Sequence, residues 1–298
     1  YKDETELERQ RKIHDSLITR GLEIITDCYL DVVDRQCKSA NVAFERRFLE
    51  GKNFQVITED INTNKYDLVI MGALGVGAVR DSVIGSVVER TVRRIHTSDF
   101  LVMRNPKTIE PDGPIVCALD GSGHSYGGLM TALALGKALN VPVEAISAFD
   151  PYFHYAMFNS IADVLSEEAG KVFRFKEQEK LHEEIIDSGL AKIYQAHLDI
   201  AKQIAEGEGV QLKTTLLDGK AFERCLQYVK KSKPWLLVMG RIGVHSDDTM
   251  DIGSNSENLL RLAACNVLIS NRTYVPPIDT MAQYTIAWTE EAAKRMER

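Results

Sequence analysis

Cysteine is scarce: five in 298 residues, at 28, 37, 117, 225 and 265, an odd number with no CxxC pair. That excludes a disulfide framework and a thiolate zinc site. It leaves reduced thiols packing as small hydrophobes, as expected of a cytoplasmic protein. The seven histidines form no HExxH, and no GxSxG elbow or P-loop lysine occurs, so no metal-hydrolase, serine-nucleophile or Walker-type signature is present. Basic charge is short as well. Lys and Arg number 36 against 43 Asp and Glu, a net −7, which disfavours a nucleic-acid partner. Long apolar runs are missing. Ala132–Leu135 and Leu236–Met239 are far too short to span a bilayer, so no membrane partner is expected. The first six residues contain no apolar stretch and are not expected to act as a signal peptide.

What is present is an ordinary globular composition, 44% hydrophobic and 27% charged, at a length that suggests two domains. A self-comparison accounts for the two. Shifted by 168 residues, positions 13–104 meet 181–272 without a gap, with 24 identities in 92 pairs. Phe48-Leu-Glu-Gly-Lys52 falls on Leu216-Leu-Asp-Gly-Lys220, Met71-Gly72 on Met239-Gly240, and Ile84-Gly-Ser86 on Ile252-Gly-Ser254. So long a period means two copies of one domain rather than a solenoid. Domains are expected at 1–104 and 115–272, joined by a Pro-rich linker at 105–114 and followed by an extension at 273–298. Residues 115–168 have no counterpart in the first copy, which therefore lacks a strand, a helix and a second strand. An upstream segment or another chain is expected to fill that gap.

In the second copy, strands are expected at Ile115–Leu119, Val141–Phe149, Val210–Leu217, Leu236–Met239 and Asn266–Ile269. Helices are expected at Ser125–Leu139, Phe173–Gly207 and Ala221–Lys231, with another before the last strand. Strands alternating with helices predict a doubly wound α/β fold on a parallel sheet. The first copy should retain strands near Val42–Phe48 and Leu68–Met71.

Each copy carries the same motif after its fourth strand. It reads Gly72-x-x-Gly75, nine residues, Gly85-Ser86 in the first copy and Gly240-x-x-Gly243, nine residues, Gly253-Ser254 in the second. A glycine-rich loop between a strand and a helix is an anion site. Backbone N–H groups approach without Cβ obstruction, the helix N-terminus favours negative charge, and the serine adds a donor. Replacing Gly72 or Gly240 by valine is expected to cost ligand rather than fold. The alternative is that these glycines only form turns and caps.

This spacing, with Val116-Cys-Ala-Leu-Asp120-Gly-Ser122 upstream, resembles the nucleotide-binding signature of the universal stress protein family over about residues 1–104 and 115–272. The resemblance implies five-stranded parallel sheets in the order 3-2-1-4-5, the first domain here lacking its first two strands. It implies tandem domains forming an intrachain pseudo-dimer or homo-oligomer, and ATP or another adenine nucleotide, with or without Mg, as a non-covalent ligand. It assigns Asp120 to the nucleoside. Gly240, Gly243, Gly253 and Ser254 go to the phosphates, and Gly72, Gly75, Gly85 and Ser86 likewise in the first copy. Trp288-Thr-Glu-Glu-Ala-Ala-Lys-Arg295 resembles the start of a helical module of protochlorophyllide-reductase-type subunits.

The sequence departs from that pattern in charge. The nine-residue loop of the second copy holds Asp247, Asp248 and Asp251, net −3, whereas that of the first holds Arg80 and Asp81, net 0. Carboxylates near a triphosphate repel it unless a cation intervenes. A completed first copy is thus expected to be the better triphosphate site. A regulatory adenine-nucleotide-binding protein is the leading reading, with an unidentified protein partner. No catalytic constellation is visible, though slow ATP hydrolysis stays open. The alternative is a nucleotide-free pseudo-dimer that presents surfaces.

Overall fold

The computed structural model describes residues 4–75, 77, 82–104, 110–150, 188–244 and 251–277. The chain divides into two compact units, Tyr1–Ile57 and Thr58–Arg298. Most of the long helix expected over Phe173–Gly207, part of the linker, and the tail with its helical-module resemblance lie outside the described residues.

In the first unit, α1 (Glu4–Ser39) buries no residue. The segment after it, Val42–Phe48, is not the expected strand. A strand needs a neighbour for its backbone N–H and C=O groups, and no described strand lies beside this one. Arg46 instead pairs with α1, reaching Asp31 at 2.6 Å and Asp34 at 3.0 Å.

From α2 (Asn53–Asn64) onward the elements are β1 (Leu68–Gly72), α3 (Ser86–Arg94), β2 (Asp99–Met103), β3 (Ile115–Leu119), α4 (Gly123–Leu139) and β4 (Val143–Phe149). Then come α5 (Ser188–Gly207), β5 (Leu212–Asp218), α6 (Ala221–Ser232), β6 (Leu236–Gly240), α7 (Ser254–Leu262) and β7 (Asn266–Ser270). The strands form one sheet ordered β1-β2-β7-β6-β3-β4-β5. All neighbours are parallel except β2 and β7. Counted within residues 115–270 alone, the order is 3-2-1-4-5, as expected.

The central strands are buried, which explains their continuous apolar runs. Ile115, Cys117 and Leu119 join Leu129 and Leu133 of α4 and Leu198 and Ala201 of α5 in one core cluster. The alternate position Ala118 faces Cys225 of α6 and Leu259 of α7 across a cavity. Helix α4 starts on a serine cap, Ser122, whose Oγ accepts the Ser125 N–H at 3.1 Å, and ends on Asn140 in the left-handed region. Its Gly127 lies against the Arg272 carbonyl, leaving no room for a Cβ.

The antiparallel seam is reciprocal. Phe100 faces Ile269 and Leu101 faces Leu268. A shift of 168 carries Phe100 onto Leu268 and Leu101 onto Ile269, so each strand presents the same two positions to the other. The helices beside the seam repeat this. Arg93 pairs with Glu257, and Arg261 with Glu89 at 3.3 Å, and both the arginines and the glutamates are 168 apart.

Candidate functional site

The parallel strands β3, β4 and β6 end at one rim, and there a cavity of ≈ 270 Å³ opens. Asp120 follows β3 directly and stands in its wall. One carboxylate oxygen accepts the Ser122 N–H at 3.0 Å and the Ser122 hydroxyl at 2.6 Å. The other accepts the Val244 N–H at 2.9 Å. Asp120 therefore latches the glycine loop to the end of β3 while Ser122 caps α4.

Gly240, Gly243, Gly253 and Ser254 all line the same cavity. Backbone bonds close the loop: the Gly253 N–H donates to the Arg241 carbonyl at 2.9 Å and the Arg241 N–H to the Ser270 carbonyl at 3.1 Å. The Ser256 hydroxyl donates to the Gly240 carbonyl at 2.8 Å. Gly253 is the N-cap of α7 and no side chain caps that helix. The first-turn N–H groups of α7 thus have no side-chain acceptor of the kind Ser122 supplies to α4.

Gly240 corrects one expectation. A Cβ there would lie 2.7 Å from the His124 carbonyl carbon and 2.8 Å from the Ser125 nitrogen. The first turn of α4 rests on this residue, so substitution would damage packing as well as any ligand contact.

The rest of the lining is largely apolar, with Ile146, Ala148, Ile242 and Leu259 beside Tyr194 and Cys225. Burial, reinforced by the Asp120 charge, raises the Tyr194 hydroxyl above its ordinary value. Burial pushes the Cys225 thiol up to about 12, so it stays protonated and inert at neutral pH. His197 stacks edge-on to Tyr194, 5.4 Å between ring centres. Burial lowers its pKa against the opposing pull of Asp120, which favours the neutral ring. Sequence reasoning missed Tyr194, Cys225 and Ser256, because nothing local distinguishes them from ordinary helix residues.

Gly72, Gly75, Gly85 and Ser86 occupy matching places after β1. The Gly85 N–H donates to the Ala73 carbonyl at 2.7 Å, and no side chain caps α3. Among the described residues, no strand lies on the far side of β1, so the wall that β3 and Asp120 give the other loop has no counterpart. His245, Asp247, Asp248, Arg80 and Asp81 lie outside the described residues. Among the described residues no group of three or more His, Cys, Asp or Glu could hold a metal ion, and no helix is long and apolar enough to cross a membrane.

A profile of the universal stress protein family matches residues 113–271. A universal stress protein from Methanocaldococcus jannaschii is 31% identical over 86 residues, covering 29% of this chain and 51% of its own length. The chain thus spans about half of that curated relative. A universal stress protein structure from Archaeoglobus fulgidus aligns with a TM-score of 0.56 at 16% identity, covering 86% of this chain and 79% of that one. A protein of unknown function from Pseudomonas aeruginosa aligns with a TM-score of 0.53 at 13% identity, covering 90% and 82%. At such identities these structures establish the α/β fold with its mostly parallel sheet.

Proposed function

Because the chain belongs to the universal stress protein family, we propose that the cavity beside Asp120 binds an adenine nucleotide and that the protein acts in the stress response through conformation and partners. One observation carries this reading: the N-terminus of α7, without a side-chain cap, borders a cavity that is also lined by apolar side chains. The N–H groups of that first turn and the Ser254 hydroxyl suit phosphate oxygens. The wall of Ile146, Leu259 and Tyr194 suits a flat base. Asp120 lines the same cavity, with acceptor capacity left for a donor on the nucleoside. A magnesium ion, when bound with ATP, would neutralise phosphate charge beside the acidic loop. The cytoplasm is the compartment that suits such a ligand.

We also read residues 1–104 as part of a first copy of the domain at 115–272, the two forming an intrachain pseudo-dimer about the β2–β7 seam, joined by the linker 105–114. Its support is the recurrence of elements at the sequence offset. β1 and β6, and likewise α3 and α7, begin and end 168 residues apart, and the seam pairs are reciprocal. Gly72, Gly75, Gly85 and Ser86 would then be the phosphate-binding loop of the first copy.

Mass spectrometry of small molecules released from denatured, purified protein tests the nucleotide reading. Stoichiometric adenine nucleotide is expected. Ligand-free protein that takes up no ATP in calorimetry would favour the nucleotide-free pseudo-dimer, the reading to which the −3 loop points.

A further inference from the structure

Arg241 lies between the two glycines of the loop, yet its side chain turns away from the cavity and is only 3% exposed. Its guanidinium reaches the other half of the sheet. Nη1 donates to the carbonyls of Val92, at 2.9 Å, and Ile95, and Nη2 to that of Arg93 at 2.8 Å. These carbonyls end α3, where a helix leaves its C=O groups unpaired and its dipole negative. The Arg241 backbone is pinned as well, to the end of β7 through its N–H and to the start of α7 through its carbonyl. Burial pushes its pKa down to about 10, against the pull of Asp251, so it remains charged at neutral pH.

Arg104 makes the converse link. Its Nη1 donates to the Val83 carbonyl at 2.8 Å, two residues before Gly85, and its Nη2 to the carbonyls of Leu260 and Arg261 at the end of α7. Each arginine thus joins one glycine loop to the far end of the helix that the other loop starts. The two are not sequence equivalents, since Ala73 stands 168 residues before Arg241. Ser86 opens α3, and the carbonyls that Arg241 holds, at Val92, Arg93 and Ile95, follow within about 9–13 Å of helix.

We propose that Arg241 is a positioning residue: it holds residues 240–244 and Gly253 in place for an anion by anchoring them on the end of α3, and through α3 it couples them to Gly85-Ser86. A direct role on phosphate is excluded by its three carbonyl partners, all outside the cavity. The inference rests on the nucleotide reading for the identity of the ligand, and the coupling is reciprocal by linkage.

Hydrogen exchange read by mass spectrometry on the full chain, with calorimetry alongside, tests it in Arg241→Met and Arg241→Lys. Without ligand, Arg241→Met should speed exchange at least about tenfold both in residues 240–244 and in the last turn of α3. Arg241→Lys, which keeps the charge but loses the fork, should give a smaller rise in both. ATP should slow exchange in α3 of the wild type but not of Arg241→Met, whose ATP affinity should fall about tenfold. Faster exchange in α3 alone, with residues 240–244 at wild-type rates, would overturn the proposal. So would ATP-dependent protection of α3 that persists without the arginine. A wild type that binds no ATP defeats the nucleotide reading instead, and the ligand-free rates still decide the coupling. Should Arg241→Met not fold, Arg241→Lys decides by the same comparison.

Discussion

Two glycines of one motif have different physical reasons to be glycine. At Gly240 an added Cβ meets the backbone of α4 at 2.7–2.8 Å, and backbone in a helix turn cannot step aside. At Gly253 the nearest atoms would be 3.5 Å away, ordinary contact, with φ at −67°, which any residue adopts. Gly240→Ala should therefore cost about 1–3 kcal/mol of stability by chemical denaturation. Gly253→Ala should stay within about 0.5 kcal/mol of wild type yet lower ATP affinity, since its Cβ enters the cavity wall. Equal stability of the two variants would show that α4 does not rest on Gly240. The sequence made all three glycines of the motif look alike, because spacing records where a loop is and not what lies across it. Arg241 was hidden for the same reason. Its acceptors at Val92, Arg93 and Ile95 are about 150 positions away in the chain.

Elements were legible where their neighbours are present. Ile115–Leu119 forms as expected, and β6 and β7 each differ by one residue, because a buried parallel strand announces itself as an apolar run between turns. Val42–Phe48, whose apolar residues are interrupted by Glu45, Arg46 and Arg47, forms no strand, since pairing is a property of two segments. β1 stands between these cases. Leu68-Val-Ile-Met-Gly72 closely copies Leu236-Leu-Val-Met-Gly240, yet every residue of β6 is buried while Leu68, Ile70 and Gly72 of β1 are exposed. The difference is α4, which packs on the Leu236, Val238 and Gly240 face of β6, and β3, which pairs with one of its edges, while β1 pairs only with β2 among the described residues. An open strand edge with an isoleucine 59% exposed invites pairing with another chain. The chain should self-associate with rising concentration in analytical ultracentrifugation, and Ile70→Lys should suppress this while leaving stability within about 0.5 kcal/mol. Unchanged association in that variant would place the contact elsewhere.

At the scale of the whole molecule the two loops share glycine spacing but not charge. Arg241 and the reciprocal Arg93–Glu257 and Arg261–Glu89 pairs join the halves beside a continuous sheet. The net charge of −7 already disfavours a polyanion, and Asp247, Asp248 and Asp251 concentrate three of those charges on one loop. A carboxylate about 6 Å from a phosphate charge costs roughly 0.7–3 kcal/mol across effective dielectrics of 80 to 20. The three are not equivalent. The Asp251 charge acts on the buried Arg241, partly opposing the lowering of its pKa by burial, so part of its field is already spent on that neighbouring cation. Asp247→Asn with Asp248→Asn should therefore deliver most of the gain in ATP affinity in metal-free buffer, and adding Asp251→Asn should deliver less than a third of the total. Magnesium should narrow the difference between wild type and variant, since the ion supplies the same neutralisation, and added salt should shrink it through screening. Calorimetry across these conditions decides the matter. An ATP affinity that ignores both the substitutions and the metal would mean that the loop carboxylates point into solvent, away from the phosphates.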